Sequence, residues 1–241
     1  MTTIKNNINT YADLTAYNAD LNKEYPNISY IQGTDEVKWY KYDPRHFLCT
    51  YNVTSTSSAT KLLDATTNIS EMYIDGVLQN SVVKSYTFST TGEHTTLIIS
   101  NNSSLSNNFT NIPTIKSVSI GSGITSIAGS TFSYCTNLAS VTIPNSITNI
   151  GGNAFNKCSG LASITIPSSV TSIGYSAFAY CSALSSVTVL ATTPPTLGDN
   201  YVFSANASGR KIYVPAASVN AYKSASKWSI YAADIEAIPT T

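Results

Sequence analysis

Charged side chains are scarce in this chain of 241 residues, at 11% of the sequence, and the 13 basic and 13 acidic residues cancel. A cationic patch large enough to dominate nucleic-acid binding is therefore not available. Long apolar runs are missing as well: the mean hydropathy is 0.00, and no run approaches the roughly 20 residues of a membrane-spanning helix. We expect no nucleic-acid partner and no membrane insertion.

Carboxylates and histidines are missing where a catalytic site would need them. No Asp or Glu lies between Glu93 and Asp199, whereas glycoside hydrolysis and calcium binding both require carboxylates. The two histidines, His46 and His94, lie in the N-terminal half, where each is predicted to be an isolated surface residue. We expect a non-enzymatic protein without catalytic residues, cofactor or metal, and keep a glycan-acting enzyme as a distant alternative.

Cysteine is also rare. Four cysteines in a chain of this length do not make a disulfide framework. The opening residues MTTIKNNINTYADL contain no basic stretch followed by an apolar core, so we expect no secretory signal there. Either an export signal has been removed or the protein reaches its place by another route.

A repeat with a period of about 23 residues occupies the second half of the chain. The segments ASVTIPNSITNIGGNAFNKCSGL and ASITIPSSVTSIGYSAFAYCSAL are adjacent and align without a gap. The recurring positions are Val118, Val141, Ile164 and Val187; Phe132, Phe155 and Phe178; Cys135, Cys158 and Cys181; and Leu138, Leu161 and Leu184. One unit cannot bury its own apolar face, so the units must stack as coils of a solenoid, about 4.8 Å apart.

Each coil contains a stretch in which polar and apolar residues alternate, as in Ser140-Val141-Thr142-Ile143. This alternation predicts a short strand with hydroxyl groups outside and apolar side chains inside. Pro144 and the equivalent Pro167 end these strands, because proline cannot donate to a ladder.

The pattern becomes irregular at both ends, as expected of terminal coils. Leu97 and Ile99 precede Val118 and Ile120 by slightly less than one period, which predicts an irregular first coil. Pro215 starts a short predicted helix at the other end. The apolar side chains after it are expected to cover the open edge of the stack; they are Trp228, Tyr231 and Ile235.

The pattern L-x-S-[VI]-T-I-P-x-S-[VI]-T-x-I-G-x-x-A-F-x-x-C-[ST]-x-L at 138–184 resembles the BspA-type leucine-rich repeats of bacterial surface proteins. The tail at 191–228 is similar to the segment that commonly closes such repeats, and the resemblance extends over about residues 97–235. It implies a right-handed solenoid used for adhesion or protein–protein contact.

The first hundred residues have a different character. A short helix is predicted from Thr10 to Asn22, and residues 28–42 should be extended. Short strand-like runs between Phe47 and Ile99 predict a small β-sandwich-like module. The expected fold is therefore mainly β, with four segments: an N-terminal helix and docking segment (1–45), the β module (46–100), the leucine-rich-repeat solenoid (101–215) and a C-terminal cap (216–241).

Two sets of residues are candidate contact sites. Tyr134, Lys157, Tyr175 and Tyr180 vary at the corners of otherwise matching coils, and tyrosine supplies contact area at a small entropic cost. The alternative is that they are ordinary exposed corner residues. The second set is a candidate docking or oligomer surface, with packing against the β module as the alternative; it comprises Tyr11, Leu14, Tyr17, Leu21, Trp39 and Tyr40.

The column of cysteines at 135, 158 and 181 has two interpretations. A metal or redox ladder is the functional one, but zinc sites use four ligands at close spacing. Each cysteine comes shortly after a core phenylalanine, at the same offset in every coil, so packing of small thiols inside the solenoid is favoured.

Together these features favour a structural or adhesion protein. Our first hypothesis is a phage virion appendage, of head or tail-fibre or decoration type, located on the virion surface and contacting other virion or surface proteins. The alternative is a secreted bacterial cell-surface adhesin.

Overall fold

A computed structural model describes most of the chain. The chain divides into two compact units, Met1–Asp43 and Pro44–Thr241. The described residues are 28–33, 36–41, 45–64, 68–106 and 109–240. In the first unit, β1 (Ile28–Gly33) pairs antiparallel with β2 (Glu36–Lys41). This confirms the extended structure predicted there, and the helix predicted at 10–22 lies outside the described residues.

The regular elements of the second unit, Pro44–Thr241, are mostly short strands joined by turns. The strands are β3 (His46–Val53), β4 (Thr60–Lys61), β5 (Ile69–Ile74), β6 (Val77–Leu78), β7 (Ser85–Tyr86), β8 (Gly92–Ser100), β9 (Ser104–Leu105), β10 (Ile115–Ile120), β11 (Ser126–Ile127), β12 (Ser140–Thr142), β13 (Asn149–Ile150), β14 (Ser163–Ile166), β15 (Ser172–Ile173), β16 (Ser186–Val189), β17 (Thr196–Leu197), β18 (Lys211–Val214) and β19 (Ile235–Ala237). Helix α1 (Val219–Ser224) lies between two 3-10 turns, Ala216–Ser218 and Ser229–Tyr231.

Strands β3, β8, β5 and β6 of the N-terminal β module join the solenoid in one sheet of order β12-β10-β3-β8-β5-β6, while β4 and β7 pair in a separate two-stranded sheet. Strand β3 pairs antiparallel with β8 on one edge and with β10 on the other. The prediction that Leu97 and Ile99 form a first coil is wrong, because β8 carries both and pairs antiparallel with β3 and β5. The division into four segments stays a prediction.

The solenoid has about six turns, and its strands form two parallel columns. One column is continuous, in the order β17-β15-β13-β11-β9. The other contains β14-β16-β18-β19, with partners such as Ile164 and Val187 that lie one period apart in the sequence. Alternation holds as predicted: Ile164 and Ile166 are buried, while Ser163 and Thr165 are exposed.

A column of stacked phenylalanine rings forms the centre of the core. The rings of Phe109, Phe132, Phe155 and Phe178 follow one another at centroid distances of 5.2 Å, and Phe203 follows Phe178 at 5.6 Å. All five are buried. The repeat therefore returns each ring to the same place in the next coil, and this recurrence holds the coils in register.

The C-terminal segment closes the stack, as predicted. Trp228 is buried, its ring centroid lies 5.8 Å from that of Phe203, and its indole N–H donates to the carbonyl oxygen of Pro195 at 2.7 Å. Strand β19 then adds to β18 in parallel. Tyr231 and Ile235 are buried as well, so the last coil does not end in an apolar surface.

Candidate functional site

The regular coils have a left-handed backbone at two positions, one at Ser130, Asn153 and Ser176 and the other at a corner four residues later. The corner position is occupied in successive coils by Asn111, Tyr134, Lys157, Tyr180 and Ala205, with φ between 53° and 62°. The stack holds this backbone in place: the N–H of Tyr134 donates to Asn156 O at 2.8 Å, and that of Lys157 donates to Ala179 O at 2.9 Å. Side chains at this position therefore form a column on the surface of the solenoid.

Three of these corner side chains contact one another, and we call Tyr134, Lys157 and Tyr180 the corner ladder. The Lys157 ammonium donates to the Tyr134 hydroxyl at 2.9 Å, and its nitrogen lies 4.5 Å from the Tyr134 ring centroid and 5.9 Å from that of Tyr180. Tyr134 is 44% exposed and Tyr180 56%. The ladder thus presents a cation between two exposed aromatic rings.

Tyr175 belongs to another corner of the coil. It is 57% exposed, and its ring covers Gly152 so closely that a Cβ added to Gly152 would lie 2.4 Å from a ring carbon. Tyr201, which sequence reasoning missed, is 64% exposed. It comes after the stretch where the coil becomes longer than the regular repeat, so the repeat spacing did not indicate it.

The repeat region also matches a known family. The model described as BspA type Leucine rich repeat region, with six copies, matches residues 103–227, which is more than half of the chain. The chain belongs to the BspA-type leucine-rich repeat family. Membership indicates a surface or protein-interaction protein. No curated protein matches this chain.

The cysteine column of this BspA-type solenoid is buried packing, as predicted. The thiol of Cys135 donates to the carbonyl oxygen of Phe109 at 3.0 Å, and Cys158 and Cys181 donate in the same way, at 3.1 Å, to the carbonyls of Phe132 and Phe155. Burial raises the pKa of the Cys135 and Cys181 thiols to about 12 and that of Cys158 well above its usual value. The thiols therefore satisfy backbone carbonyls inside the stack and stay protonated.

His94 is not the isolated surface residue that the sequence predicted. Its side chain is 11% exposed, and Nδ1 lies 2.6 Å from the Asp75 carboxylate. Nε2 lies 3.0 Å from the carbonyl oxygen of Thr90, and the ring packs on Phe88. The contact between His94 and Asp75 fastens the turn after β5 to β8. His46 is half-buried in β3.

Two further observations concern metals and membranes. Within the described residues, no group of three His, Cys, Asp or Glu side chains comes together in a way that could hold a metal ion. The described helices are also too short or too polar to cross a bilayer.

The N-terminal candidate residues all belong to the first unit, Met1–Asp43. Trp39 and Tyr40 lie in β2, opposite Tyr30 and Ser29 of β1. The other four, Tyr11, Leu14, Tyr17 and Leu21, lie outside the described residues.

Proposed function

We propose that this chain is a non-enzymatic contact protein whose corner ladder binds a protein partner. The observation that carries the proposal is the backbone at the corner. A left-handed conformation costs a residue other than glycine about 1–2 kcal/mol, and Asn111 shows that a residue with a low cost fits there. Tyr134, Lys157 and Tyr180 occupy the same position at a higher cost and place a cation between two exposed rings, so we infer that their side chains serve contact.

The chemistry of the ladder suits a protein surface. Tyrosine is enriched among the residues that contribute most to interfaces, and two of the three ladder residues are tyrosines. The outward face of the strands, by contrast, presents hydroxyl groups such as Ser163 and Thr165, which rarely anchor interfaces. Tyr175 extends the proposed surface at a second corner.

For the biological setting we propose a phage virion appendage, with other virion or surface proteins as partners. A neutral, hydroxyl-rich exterior and surface-type repeats support this assignment. The family also favours a second candidate, a secreted or cell-surface bacterial adhesin. Mass spectrometry of purified particles tests the first: the chain at stoichiometric abundance supports it, and its absence from particles together with its recovery from intact cell surfaces supports the second.

The corner ladder is tested by photo-crosslinking. A benzoylphenylalanine replaces Tyr180 in one variant and Thr188, on the hydroxyl face of β16, in a matched control. On particles or cells that carry the protein, position 180 is expected to give a discrete protein adduct and position 188 is not. Adducts of equal yield at both positions would contradict a contact centred on the ladder. Lys157→Ala should then reduce the adduct at position 180.

A further inference from the structure

Lys157 differs from the cations of the second unit that form ion pairs. Those cations contact carboxylates, in the pairs Lys61–Asp64, Lys116–Glu93, Arg210–Asp234 and Lys211–Glu236. The Lys157 ammonium instead donates to the hydroxyl of Tyr134 at 2.9 Å and lies between the rings of Tyr134 and Tyr180. Its own part of the chain offers no carboxylate, because the sequence contains no Asp or Glu between Glu93 and Asp199.

The contacts of Lys157 hold its ammonium in place without neutralising it. The side chain is half-buried, and among the described residues the Tyr134 hydroxyl is the one hydrogen-bond acceptor that the ammonium contacts. An ammonium has three N–H donors, so donors remain for an acceptor from outside the chain. The two rings attract the cation through their negative faces, but they carry no net charge. This position therefore suits an external anion.

The Tyr134 hydroxyl supplies a second donor beside the ammonium. Because its oxygen accepts the hydrogen bond from Lys157, its own O–H hydrogen is available to another acceptor. The contact between the two groups is exposed, so an external group has access to both donors. A carboxylate has two oxygens. One oxygen would accept from the Lys157 ammonium and the other from Tyr134, through hydrogen bonds that the charges strengthen.

The anion that suits this surface carries a single charge. A phosphate group carries about two negative charges at neutral pH and is typically held by several cations or by arginine, whereas the ladder has one lysine. A carboxylate matches that single charge. The flanking rings of Tyr134 and Tyr180 would also pack against methylene groups that carry the carboxylate, as in an aspartate or glutamate side chain.

We propose that the corner ladder binds the carboxylate of an aspartate or glutamate residue in the partner protein, with the Lys157 ammonium and the Tyr134 hydroxyl as its donors. Exposed rings on both sides of the ammonium favour apolar neighbours of that acidic residue in the partner. Removal of one member of such a charge pair at an interface increases the dissociation rate. The inference rests on the proposed function, because it names the chemical group that the contact surface recognises.

Zero-length crosslinking with a water-soluble carbodiimide tests the pair directly, on the particles or cells that carry the protein. The reagent activates a carboxylate, the deprotonated amine of a lysine in contact with it displaces the activating group as a urea, and an amide bond forms. Mass spectrometry should find an amide between Lys157 Nζ and an Asp or Glu side chain of another protein. An amide between Lys157 and a sugar acid, or a phosphoramidate at Lys157, would overturn the proposal.

Two lysines of the same chain are internal controls. Lys116 contacts Glu93 within the chain, so an amide between these two shows that the reagent has acted. Lys223 is an exposed residue of α1 and should couple to other proteins at least tenfold less than Lys157. If Lys116 and Glu93 couple while Lys157 does not, or if Lys157 and Lys223 couple equally, the proposal is wrong.

Two substitutions separate the charge of Lys157 from the size of its side chain. Lys157→Met keeps the length and removes the charge, so the yield of the photo-adduct at position 180 should fall at least tenfold. Lys157→Arg keeps the charge, but the carbodiimide does not couple a guanidinium; this variant should lose the amide and retain the photo-adduct. Both variants should keep the Tm of the wild-type chain, because residue 157 lies at the surface.

These measurements also distinguish the carboxylate from the protein contact itself. A photo-adduct at position 180 that keeps its wild-type yield in Lys157→Met retains the proposed contact and overturns the carboxylate. Absence of any adduct at position 180 in a chain that keeps Lys157 overturns both. The expected result is an amide from Lys157 to a partner protein, together with a photo-adduct that Lys157→Met reduces and Lys157→Arg does not.

Discussion

Replacement of Phe155 by alanine tests the stacked core most directly. The Phe155 side chain is fully buried, with Phe132 and Phe178 on either side at centroid distances of 5.2 Å. Phe→Ala in a core costs about 3–5 kcal/mol. Each lost aromatic pair removes about 0.5–1.5 kcal/mol beyond the loss of buried area. Two pairs are lost here, so we expect a decrease of about 5 kcal/mol in the free energy of unfolding.

Thermal unfolding followed by circular dichroism measures this decrease. In a unit of the size of Pro44–Thr241, a loss of 1 kcal/mol in the free energy of unfolding lowers the Tm by about 2–4 °C. Phe155→Ala should therefore lower the Tm by about 10–20 °C. Tyr180→Ala is the control: the side chain is exposed, so its free energy of unfolding should change by less than about 0.5 kcal/mol. An unchanged Tm for Phe155→Ala, or equal decreases in both variants, would refute the stacked arrangement.

Four other predictions concern the packing of the coils and the assembly of the chain. Gly174→Ala places a methyl group 2.3 Å from the backbone nitrogen of Gly152, so chemical denaturation should show a loss of about 1–3 kcal/mol. Cys158→Ala leaves a small cavity and should cost about 1–2 kcal/mol; zinc or iron bound stoichiometrically to the wild-type protein would contradict the packing role. Burial raises the pKa of Cys135 and Cys181 from 9.0 to about 12, so the unfolded chain releases protons that the folded chain keeps. The free energy of unfolding should therefore fall as the pH rises above about 9. It should fall less steeply in a variant in which both Cys135 and Cys181 are replaced by alanine. Light scattering of the full chain should detect an oligomer formed through the N-terminal region, and a monomer at micromolar concentration would contradict it.

The coil could be predicted because its units repeat. Identical units must pack identically, so the columns of Phe, Cys and Leu indicated the interior without knowledge of the fold. Phe109 precedes Phe132 by one full period, so this spacing could have identified it too. Phe203 follows Phe178 by slightly more than one period, and the longer coil concealed it.

The N-terminal pairings depend on contacts between distant residues, and local patterns do not identify them. Leu97 and Ile99 fit equally well in a parallel coil and in an antiparallel strand, and only the position of β3 decides between the two. His94 in β8 meets Asp75 in the turn after β5, although nothing in their local sequence indicates that contact.

Local sequence patterns also fail to identify the contacts at the candidate sites. The positions 134, 157 and 180 are related by the repeat, so the sequence places them in one column, but the contact of the Lys157 ammonium with Tyr134 requires the structure.

The phenylalanine column also determines how this protein can change in length. Each ring of the regular coils stacks on the ring of the neighbouring repeat, so deletion or duplication of one whole unit joins matching surfaces again. Each unit gained or lost moves the cap relative to the N-terminal sheet by about 4.8 Å. The distance between the cap and the N-terminal sheet can therefore change only by whole repeat units. Unequal recombination adds or removes such units, whereas a single substitution does not.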